Sequence, residues 1–302
     1  MHYKAFGLYI DSEIKLNQLP EATSDKTDVR ICYGKVPETL DGQFVEYDWI
    51  LIKRDEVLFR VDTIASYYVK NGDTIIIEKS LELKSENKAL LQVYLMGTAM
   101  GALLIQRSIL PLHGSCVIGD DNKVILFTGV SGAGKSTTAS VFLKKGWKLI
   151  SDDITPVKNI ENKVIAYPSF PQQKLWEDAV LRLELDENRR QVLWGYDENL
   201  KYAMNSASVF HDHEEYLQYV FQLVPKEQEE VTCKEIIGVE KAILLREHTY
   251  REFLYADIEM KNSHFQMCAD LAGKLKVFHV YRPIGKESEQ QVFEVINKVI
   301  YQ

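Results

Sequence analysis

The chain has 302 residues, enough for one large or two medium domains with buried cores. Its 46% hydrophobic and 26% charged residues are ordinary for a globular protein, and its net charge of −8 argues against a nucleic-acid binder, which usually carries a basic face. The four cysteines are scattered without a C-x-x-C pair, so neither a zinc site nor a disulfide framework is indicated. We therefore expect a cytoplasmic protein with reduced thiols, and the first residues lack the apolar core of a signal peptide.

Residues 1–88 are predicted to form a small antiparallel β domain. Short alternating segments, which are typical of strands, are separated by turn residues such as Asn71-Gly72-Asp73. A polar break at residues 85–87 ends this pattern, and residues 89–302 form the second predicted domain. The sequence does not indicate a function for this β domain, which could bind a partner or merely cover the next domain.

A helix is predicted over residues 89–108. It belongs to the most apolar stretch of the chain, which Gln106 and Arg107 interrupt, so we interpret it as a core helix rather than a membrane span. Two strands, 112–118 and 123–128, follow and are joined by a tight turn.

The second of these strands leads directly into GVSGAGKS at residues 129–136, a full G-x-x-x-x-G-K-[ST] phosphate-loop motif. Backbone N–H groups of such a loop cradle a polyphosphate, and the following helix directs its positive N-terminal end toward the same charge. Lys135 is expected to reach the β- and γ-phosphates, and the Ser136 hydroxyl to ligate Mg²⁺. The predicted nucleotide-binding residues of this motif are Gly129, Val130, Ser131, Gly132, Ala133, Gly134, Lys135, Ser136 and Thr137.

An apolar strand at 147–151 follows the loop helix and ends in Asp152 and Asp153. A strand–helix–strand unit of this kind is parallel, so we expect the loop and the aspartates at the carboxyl ends of neighbouring strands, where α/β sheets bind ligands. Phosphoryl transfer needs a metal-organising acid, and a kinase also needs a proton acceptor. The aspartate pair could divide these tasks, although a solvated strand end is the alternative. His113 could orient Asp152 if their strands are neighbours, or it could be a core residue.

Three motifs, LPLHGSCV, GVSGAGKST and GWKLISDD, resemble the catalytic domain of the HPr kinase/phosphorylase family. The resemblance implies an α/β fold, in which a P-loop HPr-kinase-like catalytic domain is joined to the smaller β-rich N-terminal domain. It implies ATP and Mg²⁺ as cofactors, bound by Lys135 and Ser136. It further implies that Asp152 is the catalytic base, assisted by His113, and that Asp153 serves the metal.

Downstream of the aspartates the chain departs from that family. HPr kinases carry an E-x-R-G-x-G signature, which supplies a metal-binding Glu and contacts HPr, whereas this chain reads YPSFPQQKLWED. That segment and the lead-in YLMGTAMGALLIQRSILPLHG are similar to HPr-kinase-like proteins of lasso-peptide biosynthesis, whose members phosphorylate a serine at the C-terminal end of a precursor peptide. Glu177 is a weak stand-in for the missing Glu. Lys174 and Trp176 could line the acceptor site, although Trp176 could equally be a core residue.

Positive charge for the transferring phosphoryl group could come from Arg246, Arg251 or Arg282, and the position of Arg282 at a predicted strand end favours it. We predict an ATP-dependent kinase for a serine at or near the C-terminus of a ribosomally made peptide. ATP and that peptide are the expected partners, without nucleic acid or membrane, and homo-oligomerisation is left open. The alternatives are an HPr kinase/phosphorylase acting on a protein serine and a nucleotide switch that hydrolyses ATP slowly.

Farther along the chain, helices are predicted over 176–185, 240–253 and 287–301, and strands over 216–224 and 276–281. The polar stretch 186–215 has no assignment.

Overall fold

A computed structural model describes residues 1–84, 87–186, 188, 190–196 and 199–302. Within these residues the chain is a mixed α/β protein built on three β-sheets, which confirms the predicted α/β class with a β-rich N-terminal part. Residues 85 and 86 of the predicted polar break, and residues 187, 189, 197 and 198 of the unassigned stretch, lie outside the described residues.

The N-terminal sheet contains eight strands in the order β1-β2-β3-β8-β7-β6-β5-β4. They are β1 (His2–Ala5), β2 (Leu8–Ser12), β3 (Val29–Tyr33), β4 (Val45–Tyr47), β5 (Ile50–Lys53), β6 (Glu56–Val61), β7 (Ala65–Lys70) and β8 (Thr74–Lys79). The predicted antiparallel pairing is wrong for β3, which pairs in parallel with both β2 and β8. In β7, buried and half-buried residues alternate, as expected of a strand that covers a core with one face.

A long helix joins this sheet to the rest of the chain. It runs from α1 (Lys88–Tyr94) through a π-helical turn (Leu95–Ala99) into α2 (Met100–Gln106). By length and composition the segment Ala89–Gln106 could cross a membrane, but 67% of it is buried inside the protein. Its apolar side chains belong to one continuous core with those of the N-terminal sheet, and the Tyr67 hydroxyl donates a hydrogen bond to the Leu91 carbonyl. This packing is that of a core helix.

The remaining strands form a nine-stranded central sheet and a small three-stranded sheet. In chain order they are β9 (Leu110–Ile118), β10 (Val124–Thr128), β11 (Lys148–Ser151), β12 (Ile154–Ile160), β13 (Lys163–Ala166), β14 (Gln172–Trp176), β15 (Arg190–Tyr196), β16 (Asn199–Asn205), β17 (Glu215–Tyr216), β18 (Tyr219–Lys226), β19 (Thr232–Ile236) and β20 (Lys276–Pro283). The remaining α-helices are α3 (Lys135–Lys144), α4 (Glu177–Arg182), α5 (Glu240–Glu247), α6 (Ile258–Ala272) and α7 (Glu289–Ile300).

Strand β9 organises the central sheet. On one side it pairs with β10, and on the other it pairs with β12 and β11, which lie end to end along it. All three are antiparallel to β9, so β10 and β11 run parallel to each other but are separated by β9. The prediction that these two strands are neighbours is therefore wrong. Their carboxyl ends nevertheless reach the same level of β9, because Thr128 pairs with Gly114 and Ser151 pairs with Cys116.

The small sheet, ordered β14-β16-β15, packs against α4 through its own apolar cluster. It lies in the part of the chain that sequence patterns left largely unassigned. Helix α4 is shorter than the predicted helix 176–185, and α5 ends at Glu247 rather than at residue 253. Helix α6 has no counterpart in the predictions.

Candidate functional site

The phosphate-loop motif adopts a conformation that only glycine accommodates at key positions. Gly134 caps α3 with a φ of 96°, in the left-handed region, and a Cβ atom there would lie 2.5 Å from Arg282 Nη1. Gly129 has a φ of 138°, and a Cβ atom there would lie 2.6 Å from the Leu223 carbonyl oxygen. The loop is therefore packed tightly between β18 and the end of β20, directly before the unpaired N–H groups of the first turn of α3.

Lys135 is buried at the start of α3, with 8% of its surface exposed. Its ammonium group donates hydrogen bonds to the carbonyl oxygens of Gly129 at 3.0 Å and Val130 at 3.1 Å. Burial lowers the pKa of Lys135, while the charges of Asp152 and Asp153 oppose that shift. A buried ammonium group beside free helical N–H groups suits a polyanion.

Asp152 lies behind the loop and is almost fully buried. Its Oδ1 accepts a hydrogen bond from Ser115 Oγ at 2.5 Å, and its Oδ2 accepts one from the Lys174 backbone N–H at 2.7 Å. Ser115 Oγ also lies 3.5 Å from Ser136 Oγ. Burial raises the pKa of Asp152, and these hydrogen bonds oppose the rise. Asp152 is therefore grouped with the serine of the loop.

Asp153 belongs to the opposite side of the site. Its Oδ2 forms an ion pair with Lys174 Nζ at 2.6 Å, and its Oδ1 lies 3.8 Å from His113 Nε2. Burial opposes the charge of Asp153, but Lys174 and then His113 outweigh it and lower the pKa of this carboxyl. The expected contact of His113 with Asp152 is not formed, because the register pairs His113 with Ile154, next to Asp153.

His113 contacts an aromatic ring as well as Asp153. Its ring packs edge-on against Tyr250, with 5.8 Å between ring centroids. Burial, followed by the charge of Lys135, lowers the pKa of His113 to about 4, while Asp153 opposes that shift. His113 is therefore neutral near pH 7 and can exchange hydrogen bonds with a bound group.

These groups meet in a pocket of about 220 Å³. Its lining residues are His113, Ser131, Gly132, Gly134, Lys135, Ser136, Thr137, Asp153, Lys174, Leu175, Trp176, Asp178, Ala179, Arg182, Lys201 and Arg282. Five of these side chains are cationic and two are carboxylates, so the pocket favours an anionic ligand. Four predicted site residues are not part of this lining, namely Gly129, Val130, Ala133 and Asp152.

Sequence patterns missed Ser115, Arg182 and Lys201. Ser115 had a usable signal, because it lies two residues after His113 on the same face of β9. Arg182 and Lys201 had none, since they reach the pocket from α4 and β16, which the assembly of the small sheet brings to the loop.

Arg282 is the predicted arginine that reaches the pocket. Its Nη1 donates to the Ala133 carbonyl at 3.0 Å, and its Nη2 lies 3.8 Å from Glu289 Oε1. Arg182 pairs with the same Glu289 oxygen at 3.1 Å. Arg246 instead pairs with Glu252 outside the pocket, and Arg251 lines a different groove.

Few protein side chains near the loop are available to bind a Mg²⁺ ion. Glu177 accepts a hydrogen bond from the Tyr202 hydroxyl at 2.9 Å and does not line the pocket. Among the described residues, no group of three or more His, Cys, Asp or Glu side chains could hold a metal ion alone. Ser136 and Asp152 both contact the Ser115 hydroxyl, so a hydroxyl and a carboxylate lie together at the loop. Mg²⁺ uses donors of this kind together with substrate phosphates and water.

No protein-family model matches the chain. It is 32% identical over 127 residues to a phosphoenolpyruvate carboxykinase (ATP) of Alkaliphilus oremlandii, covering 37% of this chain and 23% of that protein. It is 51% identical over 41 residues to the HPr kinase/phosphorylase of Clostridium tetani, covering 14% of this chain and 13% of that protein. The chain thus spans less than a quarter of the length of either curated relative.

Among solved structures, the Hpr(Ser) kinase/phosphatase of Coxiella burnetii aligns with a TM-score of 0.35 and 11% identity, over 63% of this chain and 96% of that one. One segment of the chain is thus similar to part of an HPr kinase/phosphorylase, and a longer segment is similar to part of a phosphoenolpyruvate carboxykinase (ATP).

Proposed function

We propose that this chain is a cytoplasmic, Mg²⁺- and ATP-dependent kinase that phosphorylates a serine at or near the C-terminus of a ribosomally made peptide, as in the lasso-peptide branch. One observation carries the proposal: a complete phosphate-loop motif shares its pocket with the Asp153–His113–Lys174 group. A nucleotide-binding end and a proton-accepting end in one pocket are what phosphoryl transfer to a hydroxyl requires.

The nucleotide end would be formed by the loop, Lys135, Thr137 and Arg282. Ser136 and Asp152 would hold Mg²⁺, which when bound supplies positive charge that stabilises the phosphate oxygens during transfer. Arg282 is already fixed against the loop by its hydrogen bond to Ala133, so its charge is oriented before substrate arrives.

The acceptor end supports a different division of the aspartates from the one that the sequence predicted. We propose that Asp153, rather than Asp152, accepts the proton, because Asp153 lines the pocket beside His113, whereas Asp152 is grouped with the loop serine through Ser115. The serine oxygen bonds to the γ-phosphorus as its proton passes to Asp153. The bond from the γ-phosphorus to the β–γ bridging oxygen breaks, and ADP leaves.

Lys174 would link recognition of the peptide end to this step. Its ion pair lowers the pKa of Asp153, which weakens that carboxylate as a base. A terminal carboxylate of the peptide would compete for the Lys174 ammonium group and would let the pKa of Asp153 rise. Lys201, which lines the same pocket, would add a second positive charge.

The test is mass spectrometry of a candidate precursor peptide incubated with enzyme and Mg-ATP. We expect one added phosphate on the C-terminal serine, no product after replacement of that serine by alanine, and a slower reaction for the peptide with an amidated terminus. Release of ADP that requires the peptide would exclude a slow nucleotide switch.

The roles of the aspartates are tested separately. Asp153→Asn should lower turnover by about 10²–10⁴ while Mg-ATP affinity stays within a few fold. Asp152→Asn should raise the Mg²⁺ concentration needed for half-maximal activity. The opposite pattern would restore the roles that the sequence predicted.

A second candidate is an HPr kinase/phosphorylase acting on a protein serine, which is favoured by the 51% identical segment of the Clostridium tetani protein. Efficient phosphorylation of HPr, together with inactivity toward peptides, would decide for it.

A further inference from the structure

A second concave surface lies at the junction of the N-terminal sheet and the larger part of the chain. This groove has a volume of about 900 Å³. It is lined by β4, the following turn and the start of β5, by residues 38–39 and 60–62, and by Tyr94 and Arg251. β4 is the last strand of its sheet, and no strand among the described residues pairs with its outer edge. That edge can accept an added strand.

Two exposed aromatic rings form the apolar part of the groove. Tyr47 is 43% exposed and Trp49 is 39% exposed. Both rings pack edge-on against Phe253, with centroid distances of 6.4 and 5.8 Å. Phe253 therefore holds one side of each ring, and the other side is exposed. A ligand that covers the exposed sides would have to immobilise few side chains.

The polar part of the groove is acidic. Its four carboxylates are all exposed, and none of them has an ion-pair or hydrogen-bond partner in the part of the chain that the structure describes. They belong to Glu38, Glu46, Asp48 and Asp62. The two arginines of the groove are already engaged: Arg60 donates to backbone carbonyls, and Arg251 lies over the rings of Tyr250 and Phe253.

The groove is connected to the candidate active site by short contacts. Arg251 lies 5.6 Å from the Tyr250 ring, Tyr250 packs 5.8 Å from His113, and His113 lies 3.8 Å from Asp153. Backbone hydrogen bonds fix this path, because Tyr250 N–H donates to the Pro111 carbonyl and His113 N–H donates to the His248 carbonyl. An extended chain, at about 3.3 Å per residue, spans the combined length of these three contacts with about five residues.

We propose that this groove docks a basic, extended segment of the peptide substrate, about five residues upstream of the acceptor serine. The segment adds a strand to β4, places apolar side chains on Tyr47 and Trp49, and pairs lysines or arginines with the four carboxylates. Charge complementarity selects this occupant over a second copy of the chain, whose own groove would repel this one. The substrate's identity rests on the proposed function, whereas docking is measurable without phosphoryl transfer.

The first test is fluorescence anisotropy with a labelled ten-residue peptide of alternating lysine and isoleucine, against a matched peptide with glutamate in place of lysine. We expect the lysine peptide to bind and the glutamate peptide not to bind. The double variant Glu46→Gln, Asp48→Asn should weaken binding at least about fivefold at low salt, and the effect should shrink as salt rises. The control variant Glu227→Gln, Glu230→Gln changes two exposed carboxylates near β19 and should bind as wild type.

Equal binding of both peptides, or equal loss in the control variant, would overturn the docking site. So would a dimer in sedimentation experiments that the groove variant dissociates.

The second test compares phosphorylation of a serine-terminated peptide with and without an upstream basic segment. In the groove variant we expect KM for the long peptide to rise to that of the short peptide, with kcat unchanged. An unchanged KM, in an enzyme that phosphorylates the peptide, would refute docking and leave the proposed function intact. Binding of the lysine peptide without any peptide phosphorylation would refute the proposed function and leave the docking site intact.

Discussion

Replacement of Lys174 by methionine is expected to destabilise the protein in a pH-dependent way. The Lys174–Asp153 pair is short, at 2.6 Å, and its side chains are only 13% and 19% exposed. Removing one partner of a buried pair costs about 3–5 kcal/mol, because the other charge is left without compensation. The residual exposure of both groups reduces this, so we expect Lys174→Met to lower the free energy of unfolding by about 2–4 kcal/mol at pH 7.

The pH dependence follows from the direction of each pKa shift. The pKa of Asp153 is lowered in the folded protein, so its stabilising effect is present above the unfolded pKa of about 3.9 and is lost as the pH falls toward the folded value. The pKa of Lys174 is raised, so its effect is present below about pH 10 and is lost above the folded value. The difference between wild type and variant should therefore be constant between about pH 5 and pH 9 and should shrink below about pH 4.

Urea unfolding at pH 7 and about pH 3, followed by circular dichroism, measures this difference. The control is Lys286→Met, which removes an ion pair to Glu229 of similar length whose partners are 56% and 84% exposed, and its stability should match wild type. Adding Asp153→Asn to Lys174→Met should recover part of the loss, since a neutral amide tolerates burial better. A loss below about 1 kcal/mol, or a loss independent of pH, would refute this account of the pair.

Three further predictions concern the nucleotide end. Lys135→Met should lose most ATP affinity in calorimetry while the circular dichroism spectrum stays unchanged, and an unchanged dissociation constant would refute the phosphate-loop assignment. Gly134→Ala should weaken ATP binding at least about tenfold, because the new Cβ would displace Arg282, whereas Gly42→Ala has a similar positive φ but no neighbour within 4 Å and should leave ATP binding unchanged. Arg282→Lys should lower turnover about 10²-fold, and equal losses in Arg246→Lys would contradict the assignment of Arg282 to the site.

Local sequence was sufficient for the phosphate loop. The strand, the glycine positions and the helix start at Lys135 are consecutive in the chain, so their relation depends on backbone rules rather than on distant contacts. The aspartate pair could be placed near the loop for a related reason. One helix and one strand separate Lys135 from Asp152, which limits how far apart they can be.

The sequence could not show which aspartate contacts His113 and Lys174 and which contacts Ser115. It depends on the register of β9 against β12, and a shift by one residue would turn His113 to the opposite face. The insertion of β9 between β10 and β11 is likewise a long-range pairing that hydrophobic patterns do not encode. Arg182 and Lys201 reach the pocket only because the small sheet assembles beside α3.

Helix α6 begins with a capping residue that the sequence contains, but its buried face is not strongly apolar. Asp257 caps it by accepting a hydrogen bond from the Met260 N–H at 2.8 Å. Its buried face includes His264 and Cys268, which a hydrophobic pattern does not count as strongly apolar. His264 is buried because it stacks on Tyr255 and bonds to the Thr249 hydroxyl, partners that only the fold supplies.

Tertiary pairing also explains why α5 is shorter than its pattern predicts. Beyond Glu247, the His248 carbonyl accepts a hydrogen bond from the His113 N–H, and Thr249 forms a bridge with Leu112. These residues therefore leave the helix to extend the central sheet beside β9. The end of α5 at Glu247 also places Tyr250 against His113 and Arg251 in the groove. The shorter helix therefore creates the contacts that connect the groove to the candidate active site.

The net charge of −8 is unevenly distributed, and the pocket and the groove have opposite local charge. Cationic side chains dominate the pocket, and exposed carboxylates dominate the groove. At physiological ionic strength such fields reach only about 8 Å, so they act through contact rather than by steering from a distance. A peptide with a basic upstream segment and a C-terminal carboxylate would match both fields in one orientation, whereas the reversed chain would meet like charge at both ends. The opposite charges of the pocket and the groove would thus favour the orientation in which the C-terminal end of the peptide, rather than an internal serine, lies at Asp153.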